Sequence, residues 1–256
     1  MELFLLQSAL KDYLRFRRLF PWILLAGFSF LVGLAWYQMS RVPDPQSIYS
    51  QVTLTIVFKL VALASAIFST AVIGQEVEQK TIVYLVTRPV PRWKLILARF
   101  VASALVVAAI GIVCALMVSI AVYRVGALSN PLFWRDVQAI FVGAFAYGGL
   151  FLFLSLLFNR AMLICLLFAF GWETMVPNMP GDASYLSVFS YVNAIAAHPS
   201  EGDSKNLMTF LSGQLGDGMM STGTAWAVMI VMIIGFAAAS SAWFTHFEYV
   251  PREDAE

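Results

Sequence analysis

"LFPWILLAGFSFLVGLAWYQM", residues 19–39, runs its whole length without a Lys, Arg, Asp or Glu. At 1.5 Å per residue, a helix of about 20 such residues covers the roughly 30 Å of hydrocarbon in a bilayer. Pro21 falls in the first turn, where a helix has no partner for the missing N–H. Upstream lies "MELFLLQSALKDYLRFRR", residues 1–18. Helical spacing puts Leu3, Leu6, Leu10, Tyr13 and Leu14 on one arc and Ser8, Lys11, Asp12, Arg15 and Arg18 on the other. A basic amphipathic helix of this kind lies along the membrane surface before the chain turns inward.

Outward from this stretch the composition agrees. Hydrophobic residues make up 60% of the 256 residues and charged ones only 12%, with a mean hydropathy of +0.79. Soluble domains carry about twice that share of charge, so the chain is expected to be an all-α integral membrane protein. The net charge of +1 excludes a large nucleic-acid footprint. Cys114 and Cys165 both lie inside apolar runs and suggest neither a disulfide framework nor a zinc site. The N-terminus lacks the order of a cleaved signal, because its basic cluster follows the first apolar residues.

Further spans are expected at 52–73, 100–123, 139–158, 161–176 and 225–246, in one transmembrane domain over 1–256. The run 161–176 is short, at about 24 Å of helix. Lys and Arg set the orientation. Lys11, Arg15, Arg17 and Arg18 precede the first span, Lys80, Arg88, Arg92, Lys94 and Arg99 lie between the second and third, and Arg160 follows the fourth. The alternate loops are poorer in basic residues. Six spans with both termini inside is the expected topology.

Between the second and third spans stands "GQEVEQKTIVYLVTRPVPRWKLILAR", residues 74–99. It opens with Glu76, Glu78 and Lys80. The apolar run Thr81–Val86 is too short to cross anything, and Pro89 and Pro91 forbid a continuous helix. The expected form is a helix–break–helix elbow whose apolar patch, rimmed by charge, is a docking surface. Its pattern of Gly74, Glu76, Lys80, Thr81, Arg88, Pro89, Arg92 and Arg99 resembles the cytoplasmic loop of ABC-2 type transporter permeases. The six-span layout, the surface helix and the large loop before the last span extend the resemblance over the chain.

The resemblance implies a dimer of permeases, with an identical or related second copy, each half resting on an ATP-binding cassette subunit. The loop would be the coupling helix, with Glu76, Glu78, Lys80, Thr81, Tyr84, Leu85, Arg88, Pro89 and Arg92 meeting the ATPase. The sequence has no Gly-x-x-x-x-Gly-Lys-Ser/Thr phosphate loop. The permease itself would therefore bind no cofactor and carry no ATPase site, leaving ATP and Mg to a partner chain. The family also implies a multi-pass protein of a prokaryotic inner or plasma membrane, surrounded by membrane lipids. An apolar or amphiphilic substrate moving outward is the default expectation.

Two charges lie within the expected spans. Lys59 and Glu173 differ in depth by only about 6 Å, and intramembrane charges usually face protein or water. They are candidates for the translocation pathway or for each other. The alternative is that Lys59 snorkels outward while Glu173 sits among the headgroups. The outer loop, 177–224, contains "YLSVFSYVNAIAAH", whose apolar pattern suggests one or two short helices on the outer mouth. Small residues in the fourth span and from Gly235 to Ser241 permit close helix packing. An intramembrane enzyme is disfavoured, since no Gly-x-Ser-x-Gly, His-Glu-x-x-His or paired intramembrane carboxylates occur. A secondary transporter or a membrane scaffold without an ATPase partner is the remaining rival.

Overall fold

A computed structural model describes residues 2–14, 16–39, 44–78, 92–158, 160–179, 181–198 and 220–246. Among these the chain is helical throughout. Helix α1 covers Glu2–Tyr13 and α2 covers Phe16–Met39. Helix α3 runs over residues 45–78 as Pro45–Val52, a π-helical stretch Thr53–Val57, and Phe58–Glu78. Helices α4 (Arg92–Tyr123) and α5 (Pro131–Leu157) follow. Helix α6 spans Ala161–Asn178 and contains a second π-helical stretch, Phe168–Trp172. A short 3-10 segment, Gly181–Leu186, leads into α7 (Val188–Ala196), and α8 covers Thr222–His246. Six of these helices are long and apolar enough to cross a membrane: α2, α3, α4, α5, α6 and α8.

Capping side chains set where several helices begin. Asp44 accepts a hydrogen bond from the Gln46 amide at 3.2 Å, with Pro45 in the first turn. Asn130 accepts from the Leu132 amide at 3.1 Å, with Pro131 in the same place. Both are the expected pairing of a polar N-cap with a proline that needs no acceptor. Helices α3 and α5 therefore start at 45 and 131, ahead of the apolar runs at 52 and 139. The extra turns carry Tyr49, Ser50 and Asp136 into the bundle.

Helix α5 is the centre of the packing, touching α3, α4, α7 and α8, while α1 and α2 pack on α4. Small residues bring the backbones together. A Cβ on Gly111 of α4 would lie 2.6 Å from Val61 Cγ2 of α3 and 2.7 Å from Ile140 Cγ2 of α5. Gly143 and Gly149 of α5 approach Val192 of α7 and Phe236 of α8 in the same way, at 3.1 and 3.2 Å. Gly235, by contrast, faces open space. Gly111→Ala is expected to lower stability by about 1–3 kcal/mol through overpacking, read as a lower unfolding temperature in detergent. An unchanged temperature would show that the three helices can separate freely.

Helix α1 turns Ala9 and Tyr13 into the protein, at 7% and 5% exposure, and leaves Leu14 exposed. Its buried arc is thus displaced from the one drawn through Leu14, because the packing partner is α4 rather than a flat surface. Tyr13 meets Phe68 edge-on, with ring centroids 5.8 Å apart, and Trp22 meets the same ring at 5.7 Å. At this end of the bundle Arg99 Nη1 donates to the Val72 carbonyl at 3.3 Å, tying α4 to α3.

Candidate functional site

Of the elbow residues, Glu76 and Glu78 lie on the described backbone of α3, and Arg92 opens α4. The expected loop start at Gly74 is still helix. Lys80, Thr81, Tyr84, Leu85, Arg88 and Pro89 lie outside the described residues.

The other two candidates are brought together at the far end of the bundle. The Lys59 ammonium donates to the main-chain carbonyl of Glu173 at 2.7 Å and to Thr174 Oγ1 at 3.3 Å. It also sits 4.4 Å from the centroid of the Phe189 ring, a cation–π contact. The partner of Lys59 is thus the backbone of α6, and the Glu173 carboxylate points elsewhere. Glu173 is fully buried. Its Oε2 accepts from Ser187 Oγ at 2.6 Å, the Phe189 amide at 2.8 Å and Tyr147 Oη at 3.1 Å, while Oε1 accepts from the Val188 amide at 3.1 Å.

The local sequence explains this arrangement. Ser187 is the N-cap of α7, accepting from the Ser190 amide at 3.4 Å. The N–H groups of the first helical turn have no partner within their own helix, and the Glu173 carboxylate takes two of them. The positive end of the helix dipole and four donors hold the carboxylate away from water. Lys59 in turn occupies a carbonyl beside the π-helical stretch of α6, two residues past the π-helical stretch of α3. Such stretches often mark functional sites. One lysine and one glutamate thereby lock α3, α5, α6 and α7 together. The Glu173 side chain is thus enclosed by protein, and the Lys59 ammonium is held by α6.

A second buried cluster, which no single motif announces, lies beside it. Tyr49 Oη donates to Asp136 Oδ2 at 2.6 Å. His198 Nε2 sits 2.8 Å from Asp136 Oδ1, and His198 Nδ1 lies 3.0 Å from Ser50 Oγ. Asp136 and the His198 side chain are fully buried. The His198–Asp136 approach is an ion-pair distance without hydrogen-bond alignment, since neither atom has a hydrogen-bond partner of good geometry. Ser50, His198 and Asp136 are all buried, so the trio staples α3, α5 and the end of α7 in a place closed to solvent. Tyr49 and Phe58 of α3 close over the imidazole with ring centroids at 6.3 and 6.2 Å. Among the described residues no group of three or more His, Cys, Asp and Glu could hold a metal ion.

Comparison with known proteins adds the family. No curated protein matches the chain. A family model described as "ABC-2 family transporter protein" matches residues 9–247, which covers α2 to α8 and the end of α1. With six helices able to cross a membrane, the chain belongs to the ABC-2 family of transporter proteins, and is a multi-pass membrane permease subunit of an ABC transporter.

Proposed function

We propose that this permease exports an apolar or amphiphilic substrate, driven by separate ATP-binding subunits docked on residues 74–99, with both termini on the cytoplasmic side. The match over residues 9–247 supports the reading, and the lack of a phosphate loop in these 256 residues agrees with ATP hydrolysis, and its Mg, lying outside them. The helices support it too. Beyond the Val72–Arg99 tie, α3 continues to Glu78 and α4 begins at Arg92. Both therefore extend about 10 Å past the tie, long enough to carry the elbow clear of the hydrocarbon. Thr81, Tyr84 and Leu85 would supply the apolar contact, and Glu76, Glu78, Lys80, Arg88 and Arg92 the polar rim, with Pro89 setting the break. In proteoliposomes holding the permease and its ATPase, Glu78→Lys combined with Arg88→Glu is expected to abolish transport-coupled ATP turnover while insertion stays normal. Full turnover would remove the coupling assignment.

The functional unit is a pair of permeases. Helix α6 leaves Met162, Leu163, Leu167 and Phe170 exposed, an apolar face suited to a second copy. Substrate would move along this seam, close to Lys59 and Glu173, whose lock between α3 and α6 must hold or yield as the seam opens. Lys59→Met is expected to reduce transport severalfold, because it frees the Glu173 carbonyl and Thr174 from α3. Unchanged transport and unchanged expression would end the pathway role.

A further inference from the structure

A cavity of about 530 Å³ lies between α1, α2 and α4, and every residue lining it is apolar. We infer that it is a binding slot for one acyl chain of an anionic phospholipid of the inner leaflet, whose headgroup rests on the basic corner at Lys11.

Four observations carry this. The lining on α4 extends from Leu105 to Met117, about 18 Å at 1.5 Å per residue, which matches the roughly 15 Å depth of one leaflet's hydrocarbon. Leu10 of α1, Leu14 just past it, and Trp22 and Gly27 of α2 belong to the same lining. The slot exists because its walls are small: a Cβ on Gly27 would meet nothing within 4 Å, and Ala109 stands on the lining of α4. Finally, exposed Lys11 lies beside Leu10, and the sequence from Lys11 to Arg18 also holds Arg15, Arg17 and Arg18 against one carboxylate, Asp12.

These features select the occupant. A space lined only by apolar groups does not hold ordered water. A single hydrocarbon chain fits, and the basic sequence from Lys11 to Arg18 favours an anionic headgroup over a zwitterionic one. Assigning the slot to the inner leaflet rests on the orientation proposed above. Binding of the lipid does not, so the two readings fail separately.

The test uses delipidated full-length protein in mild detergent, titrated with phosphatidylglycerol or phosphatidylcholine and read by native mass spectrometry. Phosphatidylglycerol is expected to bind at least about fivefold more tightly. Lys11→Glu should narrow that preference while a lipid still binds. Gly27→Phe, which fills the slot from α2, should cut binding by about tenfold or more with an unchanged unfolding temperature. Val113→Trp fills it from α4 and serves if Gly27→Phe does not fold. Equal binding of the two lipids, or wild-type binding by a folded slot-filling variant, would overturn the proposal.

Discussion

Glu173→Ala is expected to lose most of its folded protein at temperatures where the wild type is intact. The substitution removes the acceptor of four hydrogen bonds and strands Tyr147 Oη, Ser187 Oγ and the amides of Val188 and Phe189 inside the protein. Interhelical hydrogen bonds within membranes contribute only about 0.6–1.7 kcal/mol each, but the donors left behind cost about 1–3 kcal/mol each when buried without a partner. A loss of about 3–5 kcal/mol is therefore expected, comparable with breaking a buried charge pair. Glu173→Gln keeps the shape and one carbonyl oxygen, so it should lose roughly half as much. Thermal unfolding in detergent, followed by the fraction remaining monodisperse, separates the three proteins. A Glu173→Ala chain as stable as wild type would mean that α7 is capped without its carboxylate.

The second large effect belongs to Asp136. Asp136→Ala leaves Tyr49 Oη without its acceptor and His198 without the carboxylate that sits 2.8 Å from it, and should cost about 2–4 kcal/mol. Asp136 and His198 are in contact, so their effects should not add. A double-mutant cycle with His198→Ala is expected to show a coupling of about 1–3 kcal/mol. Additive losses would show that the 2.8 Å approach contributes nothing beyond packing. Each single substitution removes two polar contacts, Asp136→Ala those to Tyr49 and His198, and His198→Ala those to Asp136 and Ser50.

The membrane class was legible from residues 19–39 and the composition, because 20 apolar residues in a row have few other uses. The prolines and charges of residues 74–99 carried the resemblance that led to the family, which the match over residues 9–247 shows. The starts of α3 and α5 were less so. Hydropathy begins a span where polar residues stop, whereas the chain begins a helix at its cap, and Asp44–Pro45 and Asn130–Pro131 are the signals that mark those starts. Had the caps been weighted above hydropathy, Tyr49 and Asp136 would have fallen inside spans, and a buried aspartate would have stood out as needing a partner. His198 could not have been found this way. Its pairing with residues 62 and 148 positions away in sequence depends on where α7 folds back onto the bundle. Lys59 and Glu173 were placed at similar depth from rise alone, but depth cannot say which atoms meet. The lysine finds a carbonyl next to a π-helical stretch, and the carboxylate finds the start of α7, because each satisfies a backbone group that the helices leave open.

The central claim is that the chain works with a separate ATPase held at residues 74–99. The most direct measurement is purification of the tagged protein from native membranes in mild detergent, with mass spectrometry of what accompanies it, for the wild type and for Leu85→Asp. The account predicts an ATP-binding subunit with the wild type and its loss with Leu85→Asp, while the variant remains membrane-inserted. An ATPase absent from both would contradict it and leave a secondary transporter or scaffold as the better reading. An ATPase retained in full by Leu85→Asp would place the docking surface elsewhere.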